Sequence, residues 1–335
     1  MKRFDGKTMI LGVRRYCLVC GVVALGVLSA LPLVRAQQQE DSSLSACVPS
    51  DLAALIVPDG RSVRVSPVSE LGGPQRITLA DAANGSAALR PSADRVAKEA
   101  YKVFEREARQ GRPAAMVNLG VSLLAGWGTR PNAGAALYWL QEAANRGYAP
   151  ASYNLGILYF KGCGVRQDYA EALRFFEQGS HSGDTASQVN LGYMYDHGLG
   201  VIQDHGVAAS WYRKAAERGE PQAQYNLADL YLHAEGVDRD EAAAFRWFQK
   251  AALQGHPRAR IMLGSMYALG RGTLKDLQSA YLWISAAALQ GDTRGNATLL
   301  SLEAQLTPAQ LAEAKLRAQS LALGSAPLRD VALFH

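Results

Sequence analysis

Apolar and small residues return along the middle of the chain at a fixed interval of 36 positions. A leucine followed by glycine or alanine, and an aromatic residue further along, each recur five times between residues 113 and 292 without an insertion. Self-similarity at a fixed period is typical of repeat proteins, so the pattern predicts an elongated array. The leucines are Leu119, Leu155, Leu191, Leu227 and Leu263, and the aromatic residues are Trp139, Phe175, Trp211, Trp247 and Trp283.

Each unit is predicted to hold two short helices. In the second unit, Ala151, Leu155 and Leu158 fall at helical spacing and predict a first helix of about three turns. Gly162 ends this helix, because glycine accepts the left-handed conformation of a helix C-terminus. The second helix begins after a residue whose side chain can accept a backbone N–H. These predicted N-cap residues are Asn132, Asp168, Asp204, Asp240 and Asp276.

Small residues predict close packing within and between units. Two helices joined by a tight turn approach closely only where side chains are small, and Tyr159 and Phe175 are predicted to fill the space beside them. Because one helical hairpin cannot bury its apolar face, each unit is predicted to stack on the next. The glycines at the close approach are Gly120, Gly156, Gly192 and Gly264.

The flanking segments have separate interpretations. Residues 93–112 predict an N-terminal capping helix, and residues 293–320 predict C-terminal capping helices, the last of which opens at Thr307 and Pro308. Residues 37–92 are rich in serine, proline and glycine and predict a flexible segment. The tail, residues 321–335, carries no pattern that assigns a structure.

Residues 1–36 are typical of an export signal. Five basic residues precede an uncharged, mostly apolar run from Tyr16 to Val34, and Ala36 closes a small-residue cleavage pattern. The run of 19 residues is close to the length of about 20 that spans a bilayer, so a retained anchor stays an alternative to cleavage. Both alternatives predict that the body is periplasmic or secreted, or is anchored in the inner membrane and faces the periplasm.

Charge and cysteine content narrow the class of partners. After residue 36 the chain has 29 basic and 29 acidic residues, so the overall charge of +5 belongs to the N-terminal segment and gives no argument for nucleic acid. The same part of the chain keeps Cys47 and Cys163. A disulfide between them and two separate thiols are both compatible with an oxidising compartment.

The repeated residues resemble a known family. The third unit reads Asn190-Leu191-Gly192, Tyr195, Gly198, Gly200-Val201, Asp204, Ala208, Trp211, Ala215-Ala216 and Gly219, which resembles the Sel1-like repeat, a relative of the tetratricopeptide repeat. Leu123, Ala234 and Gly179-Ser180 depart from that pattern. The resemblance implies an all-α fold, namely a right-handed α/α superhelical solenoid of helix-turn-helix repeats.

The resemblance also implies a binding scaffold rather than an enzyme. In similar arrays the first helices line a concave groove that binds a protein or peptide, which points to envelope assembly, signalling or host contact. For the aromatic residues of this groove, exposure and burial between units both stay open. The implied groove residues are Tyr153, Ile157, Phe160, Lys161, Tyr193, Asp196, His197, Tyr225, Asp229 and His233.

A polar column runs through the first helices at Asn118, Asn154, Asn190 and Asn226. Buried amides need hydrogen-bond partners, so these side chains are predicted to bond backbone across the interface between units. Contact with a partner's backbone is the alternative.

Two other functions follow from the family alone: a β-lactam-binding or cell-wall-binding protein of the β-lactamase type, and a scaffold for peptidoglycan or exopolysaccharide. Relatives that bind β-lactams pair two cysteines in every repeat, whereas this array holds only Cys163. Residues 37–335 contain no S-x-x-K signature. Asp196-His197, Asp204-His205 and Cys163 fall in neighbouring loops, but polar residues are ordinary in solvated loops. The sequence therefore predicts no catalytic residue, metal or cofactor.

Overall fold

The computed structural model describes residues 90–322, and every regular element within that range is helical. Helix α1 (Arg90–Arg109) precedes five helix pairs, and α12 and α13 follow them. The pairs are α2 (Pro113–Ala125) with α3 (Ala133–Asn145), α4 (Ala149–Lys161) with α5 (Tyr169–His181), α6 (Thr185–His197) with α7 (His205–Glu217), α8 (Pro221–His233) with α9 (Glu241–Leu253), and α10 (Pro257–Leu269) with α11 (Leu277–Leu289). A 3₁₀ turn (Thr293–Gly295) leads into α12 (Asn296–Glu303) and α13 (Pro308–Ala322).

The two helices of each unit pack on each other and on the neighbouring units, so the array is an α/α solenoid with a 36-residue period, as the sequence predicts. The predicted N-caps are confirmed, because all five side chains accept a hydrogen bond from a backbone N–H in the first turn of the following helix. Pro113, Pro221 and Pro257 open first helices, where the missing N–H costs nothing.

Close approach within a unit depends on the small residue of the first helix. A Cβ atom on Gly192 would lie 2.5 Å from the Tyr212 ring, and one on Gly156 would lie 2.5 Å from the Phe176 ring. Tyr159 and Phe175, predicted to fill the space beside the small residues, stack on each other with ring centroids 5.6 Å apart, whereas the ring against Gly156 is that of Phe176. The glycines therefore allow a large side chain of the second helix to pack against the backbone of the first.

A second set of glycines fixes the distance between units. Gly236, in the loop of the fourth unit, lies against the backbone at the start of α7 in the third, where a Cβ would lie 2.2 Å from the carbonyl carbon of His205. Gly272 makes the equivalent approach to Glu241, also at 2.2 Å. Since both neighbours are backbone atoms that cannot rotate away, any side chain here would force the units apart.

Arginine side chains also bridge units by donating to backbone carbonyls in the last turn of a second helix or just after it. Arg218 donates to the Gly183 carbonyl at 2.6 Å. Arg260 is buried and donates to the carbonyls of Ala252 and Ala286, which end the second helices of the fourth and fifth units. Burial lowers the pKa of the Arg260 guanidinium. Arg218 thus bonds the third unit to the second, and Arg260 bonds the fifth unit to the fourth.

The helices at the two ends cover the apolar faces of the array. Helix α1 begins three residues earlier than predicted and buries Phe104 against the first unit, while Leu302 and Ala318 are buried at the other end. Gln310 bonds the backbone and the side chain of Thr307, which forms a capping box at the start of α13.

None of the helices among the described residues is long and apolar enough to cross a membrane. The predicted export signal, nearly all of the predicted flexible segment and most of the tail lie outside these residues.

Gly179 and Ser187 are two departures from the repeat that compensate each other. Three other unit junctions place alanine opposite alanine here, at 143 and 151, 215 and 223, and 251 and 259. A Cβ on Gly179 would lie 2.4 Å from the Ser187 hydroxyl, which is buried and has no hydrogen-bond partner. The glycine therefore makes room for the serine oxygen.

Replacing Ala234 by glycine is expected to stabilise the protein. Ala234 ends α8 in the left-handed conformation (φ 62°), where the other first helices have glycine. An L-residue other than glycine is strained there, so Ala234→Gly should raise the free energy of unfolding by about 0.5–1 kcal/mol, measured by urea denaturation. Gly198→Ala, at the equivalent position of the third unit, is the control and should lower it. A loss of stability in Ala234→Gly would contradict the prediction.

A double-mutant cycle tests the compensation between Gly179 and Ser187. Gly179→Ala alone should cost about 1–3 kcal/mol, because the added methyl meets the serine oxygen. Ser187→Ala alone should be neutral or stabilising, since it removes an unbonded buried hydroxyl. The double variant restores alanine opposite alanine and should regain most of the loss, with a coupling above about 0.5 kcal/mol in urea denaturation. Additive effects would show that the two positions are independent.

Candidate binding surface on the first helices

The structure separates the ten predicted groove residues into exposed and buried sets. Ile157 is wrong as a groove residue, because it is 6% exposed and belongs to the core between α4 and the following units. Tyr153 and Tyr225 are half-buried, against Phe176 and Phe248 respectively. Lys161, Tyr193, His197 and His233 are exposed, and Phe160, Asp196 and Asp229 are partly exposed. We call the surface formed by Phe160, Lys161, Tyr193, Asp196, His197, Asp229 and His233 the first-helix surface.

An aromatic cluster forms the end of this surface nearest the second unit. Tyr193 is 39% exposed and stacks on His197, with ring centroids 4.1 Å apart. The two residues are one helical turn apart on α6, and His197 Nδ1 also donates to the Tyr193 carbonyl at 3.1 Å. Phe160 of α4 meets the edges of Tyr193 and Tyr169, so the rings link two units.

Asp196 lies at the centre of the surface and is held at both carboxylate oxygens. Its Oδ1 atom is 2.6 Å from His205 Nδ1, and its Oδ2 atom accepts a hydrogen bond from the Tyr212 hydroxyl at 3.4 Å. Tyr212 is fully buried, and this burial, followed by the charge of Asp196, raises the pKa of its hydroxyl. The contacts leave the Asp196 side chain only 16% exposed.

Negative charge continues onto the fourth unit. Burial raises the pKa of the Asp229 carboxyl, His233 opposes this shift, and the charges of Glu235 and Asp196 add to it. His233 Nδ1 donates to the Asp229 carbonyl at 3.0 Å and lies 3.5 Å from its carboxylate. The carboxylates of Asp196 on α6, Asp229 on α8 and Glu235 in the following loop are therefore close enough to interact electrostatically.

His256 lies at the boundary between the fourth and fifth units, where it is the N-cap residue of α10. Its Nδ1 atom accepts the backbone N–H of Ala259 at the start of α10, and its Nε2 atom lies 3.1 Å from Gln222 Oε1. The ring stacks on Tyr225 with centroids 4.9 Å apart. Burial, together with the positive charges of Arg258 and Arg294, lowers the pKa of His256 to about 4.

The asparagine column differs from its prediction, because the bonds that the structure gives it do not reach backbone across the interface between units. Asn190 donates to the Ala186 carbonyl of its own helix, and Asn226 accepts from Gln222 one turn earlier on α8. Asn226 also bonds the side chain of Tyr212 in the preceding unit. Asn154 is buried without a hydrogen-bond partner, since the residue equivalent to Tyr212 in the unit before it is Leu140.

Sequence reasoning assigned no binding role to Glu235, Tyr212 and His256, and it considered His205 only for metal binding. One signal in the sequence could have pointed to this polar group: Asp196 is the only acid at a repeat position that is otherwise apolar. The equivalent residues in the other units are Leu124, Phe160, Leu232 and Ala268. An acid in an otherwise apolar column marks a place where the fold alone does not select the residue.

Cys163 is buried and disulfide-bonded, which favours the disulfide over separate thiols, and its candidate partner Cys47 lies outside the described residues.

Fold and surface together define a helical repeat protein that presents polar and aromatic side chains on its first helices. The Sel1 repeat profile matches residues 113–148, 149–184, 185–220, 221–256 and 257–292. The chain therefore belongs to the Sel1 repeat family. Proteins of this family generally mediate protein–protein interaction and are generally not enzymes.

Solved structures place the chain beside other Sel1 proteins. It is similar to a protective antigen of uropathogenic Escherichia coli with an SLR fold, at 34% identity and a TM-score of 0.62, over 68% of this chain and 49% of that one. It is also similar to a Sel1 repeat protein from Oxalobacter formigenes, at 31% identity and a TM-score of 0.56, over 60% of this chain and 59% of that one. The chain thus spans about half of the first relative and less than two thirds of the second. No curated protein matches it.

His256 is expected to make the protein sensitive to acid. Because its pKa is about 4 in the folded protein and about 6.5 in an unfolded chain, the unfolded state binds the extra proton between these values. Stability should therefore fall as the pH is lowered from 6.5 towards 4. His256→Asn keeps an N-cap acceptor but does not titrate, so its urea midpoint should fall less over that range. Identical pH profiles for both proteins would contradict the assignment.

Proposed function

We propose that the protein is an exported scaffold, not an enzyme, and that its first-helix surface binds a segment of a protein partner in envelope assembly, signalling or host contact. The observation that carries this proposal is the set of exposed and partly exposed aromatic and charged side chains on α4, α6 and α8. Tyr193, Asp196 and His197 lie on α6, and Asp229 and His233 lie on the neighbouring first helix, α8. The residues that recur in every unit are different ones, such as the buried leucine of each first helix, and they pack in the contacts between helices.

The composition of the surface suits a peptide or a loop. Aromatic residues are enriched in protein interfaces because they offer a large contact area and have few rotatable bonds. Tyr193 is already stacked on His197, so little side-chain freedom remains to be lost when a partner binds. The neighbouring carboxylates can orient a partner through hydrogen bonds and charge.

The N-terminal segment supports an extracytoplasmic location. Five basic residues followed by an uncharged run of 19 residues is the pattern of an export signal. The similar Escherichia coli protein is a protective antigen, which is compatible with a location outside the cytoplasm. We infer that the array lies in the periplasm, is released, or stays attached to the inner membrane by that segment.

Crosslinked affinity purification from native cells tests the proposal. A C-terminally tagged full chain is expected to recover a partner that is lost with Tyr193→Ala, His197→Ala and Asp229→Ala combined. The matched control combines Tyr138→Ala, His181→Ala and Glu217→Ala, which removes the same types of side chain from exposed positions on second helices. A recovered partner should bind the purified protein and the control variant equally, and the first-helix variant at least about tenfold more weakly.

The outcomes separate the alternatives. Equal recovery by the wild-type protein and the first-helix variant would reject this surface. Loss of binding in both triple variants would point to general destabilisation, which thermal unfolding of each variant would reveal. Fractionation of the same cells tests export, and recovery of the tagged chain with cytoplasmic proteins would reject it.

A further inference from the structure

Three side chains that can each bind a metal converge where the third and fourth units meet. Asp196 comes from α6, His205 is the first residue of α7, and Glu235 lies in the loop after α8. One ligand atom from each lies within 4.8 Å of the other two. Within this group, Asp196 Oδ1 lies 2.6 Å from His205 Nδ1.

The repeat itself shows that these residue types are not required by the fold. The equivalent positions one junction earlier hold Phe160, Tyr169 and Leu199, which pack as an apolar cluster. One junction later they hold Leu232, Glu241 and Arg271, and the last two form an ion pair at 2.8 Å. The first junction has Leu124, Ala133 and Cys163. Among the junctions of the five repeats, only that between the third and fourth units combines an imidazole with two carboxylates, so three residues that the fold does not require meet at one point.

The backbone holds these positions together. Gly236 lies directly against the backbone of His205 and Gly206, which fixes the neighbouring Glu235 beside the start of α7. The Tyr212 hydroxyl, on a fully buried ring, donates to the second oxygen of Asp196. In metal sites, such hydrogen bonds from outside the ligand set orient the ligands. Asp196 and His205 are therefore set before an ion binds, and the exposed Glu235 can complete the site.

We propose that Asp196, His205 and Glu235 bind a divalent transition-metal ion of the zinc type and thereby join the third unit to the fourth. Imidazole nitrogen and carboxylate oxygen are both zinc ligands, and neighbouring ligands around a tetrahedral zinc ion lie about 3.4 Å apart. Asp196 Oδ1 and His205 Nδ1, now 2.6 Å apart, must separate by under 1 Å as the ion replaces the hydrogen bond between them, and the exposed Glu235 side chain must move closer. A fourth position stays open to water or to a group from a partner.

This site departs from the sequence-based expectation of no metal. That expectation considered Asp196 and His205 together with His197, Asp204 and Cys163. Asp204 is instead an N-cap that accepts the Val207 N–H, and Cys163 is disulfide-bonded in another junction. The missing ligand was Glu235, which follows Asp196 by 39 positions and comes close only through stacking of the units. The proposal does not depend on the partner-binding function, since an ion can bind the isolated protein.

Titration of the purified full chain with ZnCl₂ at pH 7.5 tests the site. Calorimetry should show one site that is lost in His205→Tyr with Glu235→Leu, and zinc should raise the unfolding temperature of the wild-type protein. This double variant copies Tyr169 and Leu199 of the preceding junction, so it is expected to fold, and its unfolding temperature without zinc checks this. Glu235→Gln should weaken binding at least about tenfold. Asp238→Asn, in the same loop, is the matched control and should bind as the wild type does.

Three results would overturn the proposal. The first is an unfolding temperature that zinc does not raise in the wild-type protein. The second is an equal zinc affinity in the double variant, which would place the ion at other side chains such as His197 or His233. The third is an equal effect of MgCl₂, because magnesium prefers oxygen ligands and would not require His205.

Discussion

The backbone-to-backbone approach at the loop glycines is the constraint on which the array depends. At Gly236 and Gly272 the loop of one unit lies on the first residues of the preceding unit's second helix, with no space for a Cβ atom. Because these neighbours are backbone atoms, the distance between units cannot adapt to side chains. Other contacts recur on this framework: the Tyr212 ring packs on Gly192 as the Phe176 ring packs on Gly156, and Arg218 bonds the Gly183 carbonyl as Arg146 bonds the Gly111 carbonyl.

A scaffold fixed by its backbone leaves many side chains free to vary. The junction that holds Asp196, His205 and Glu235 is occupied elsewhere by an apolar cluster or by an ion pair, and the helices keep the same length in every case. Comparison of equivalent positions within one chain therefore separates residues that every unit needs for the fold from residues that the fold does not require and that are available for binding. By this criterion Trp211 and Asp204 are structural, whereas Asp196 is not.

The polar departures from the repeat are linked to each other. Tyr212 takes the place of Phe176 or Phe248, and its hydroxyl reaches Asp196 on one side and Asn226 on the other. A buried hydroxyl without partners would be costly, so these substitutions are stable only together. Where the partner is missing, as at Asn154 opposite Leu140, the amide stays unbonded. The polar set between the third and fourth units is thus a connected network rather than scattered exceptions.

The sequence by itself determined the elements and their order. The 36-residue period, the N-cap residues and the helix-ending glycines are local signals, because capping and left-handed turns involve residues that are close in sequence. These signals predicted the helix pairs and the solenoid. The groove residues were implied by the resemblance to the Sel1-like repeat, which placed Ile157 among them, and the asparagines were predicted to bond backbone across the interface between units. The packing of one unit on the next decides which side of a helix is covered. It also decides which residues meet when they are 39 positions apart in the sequence. Only the tertiary structure decided that Ile157 is buried and that Glu235 lies beside His205.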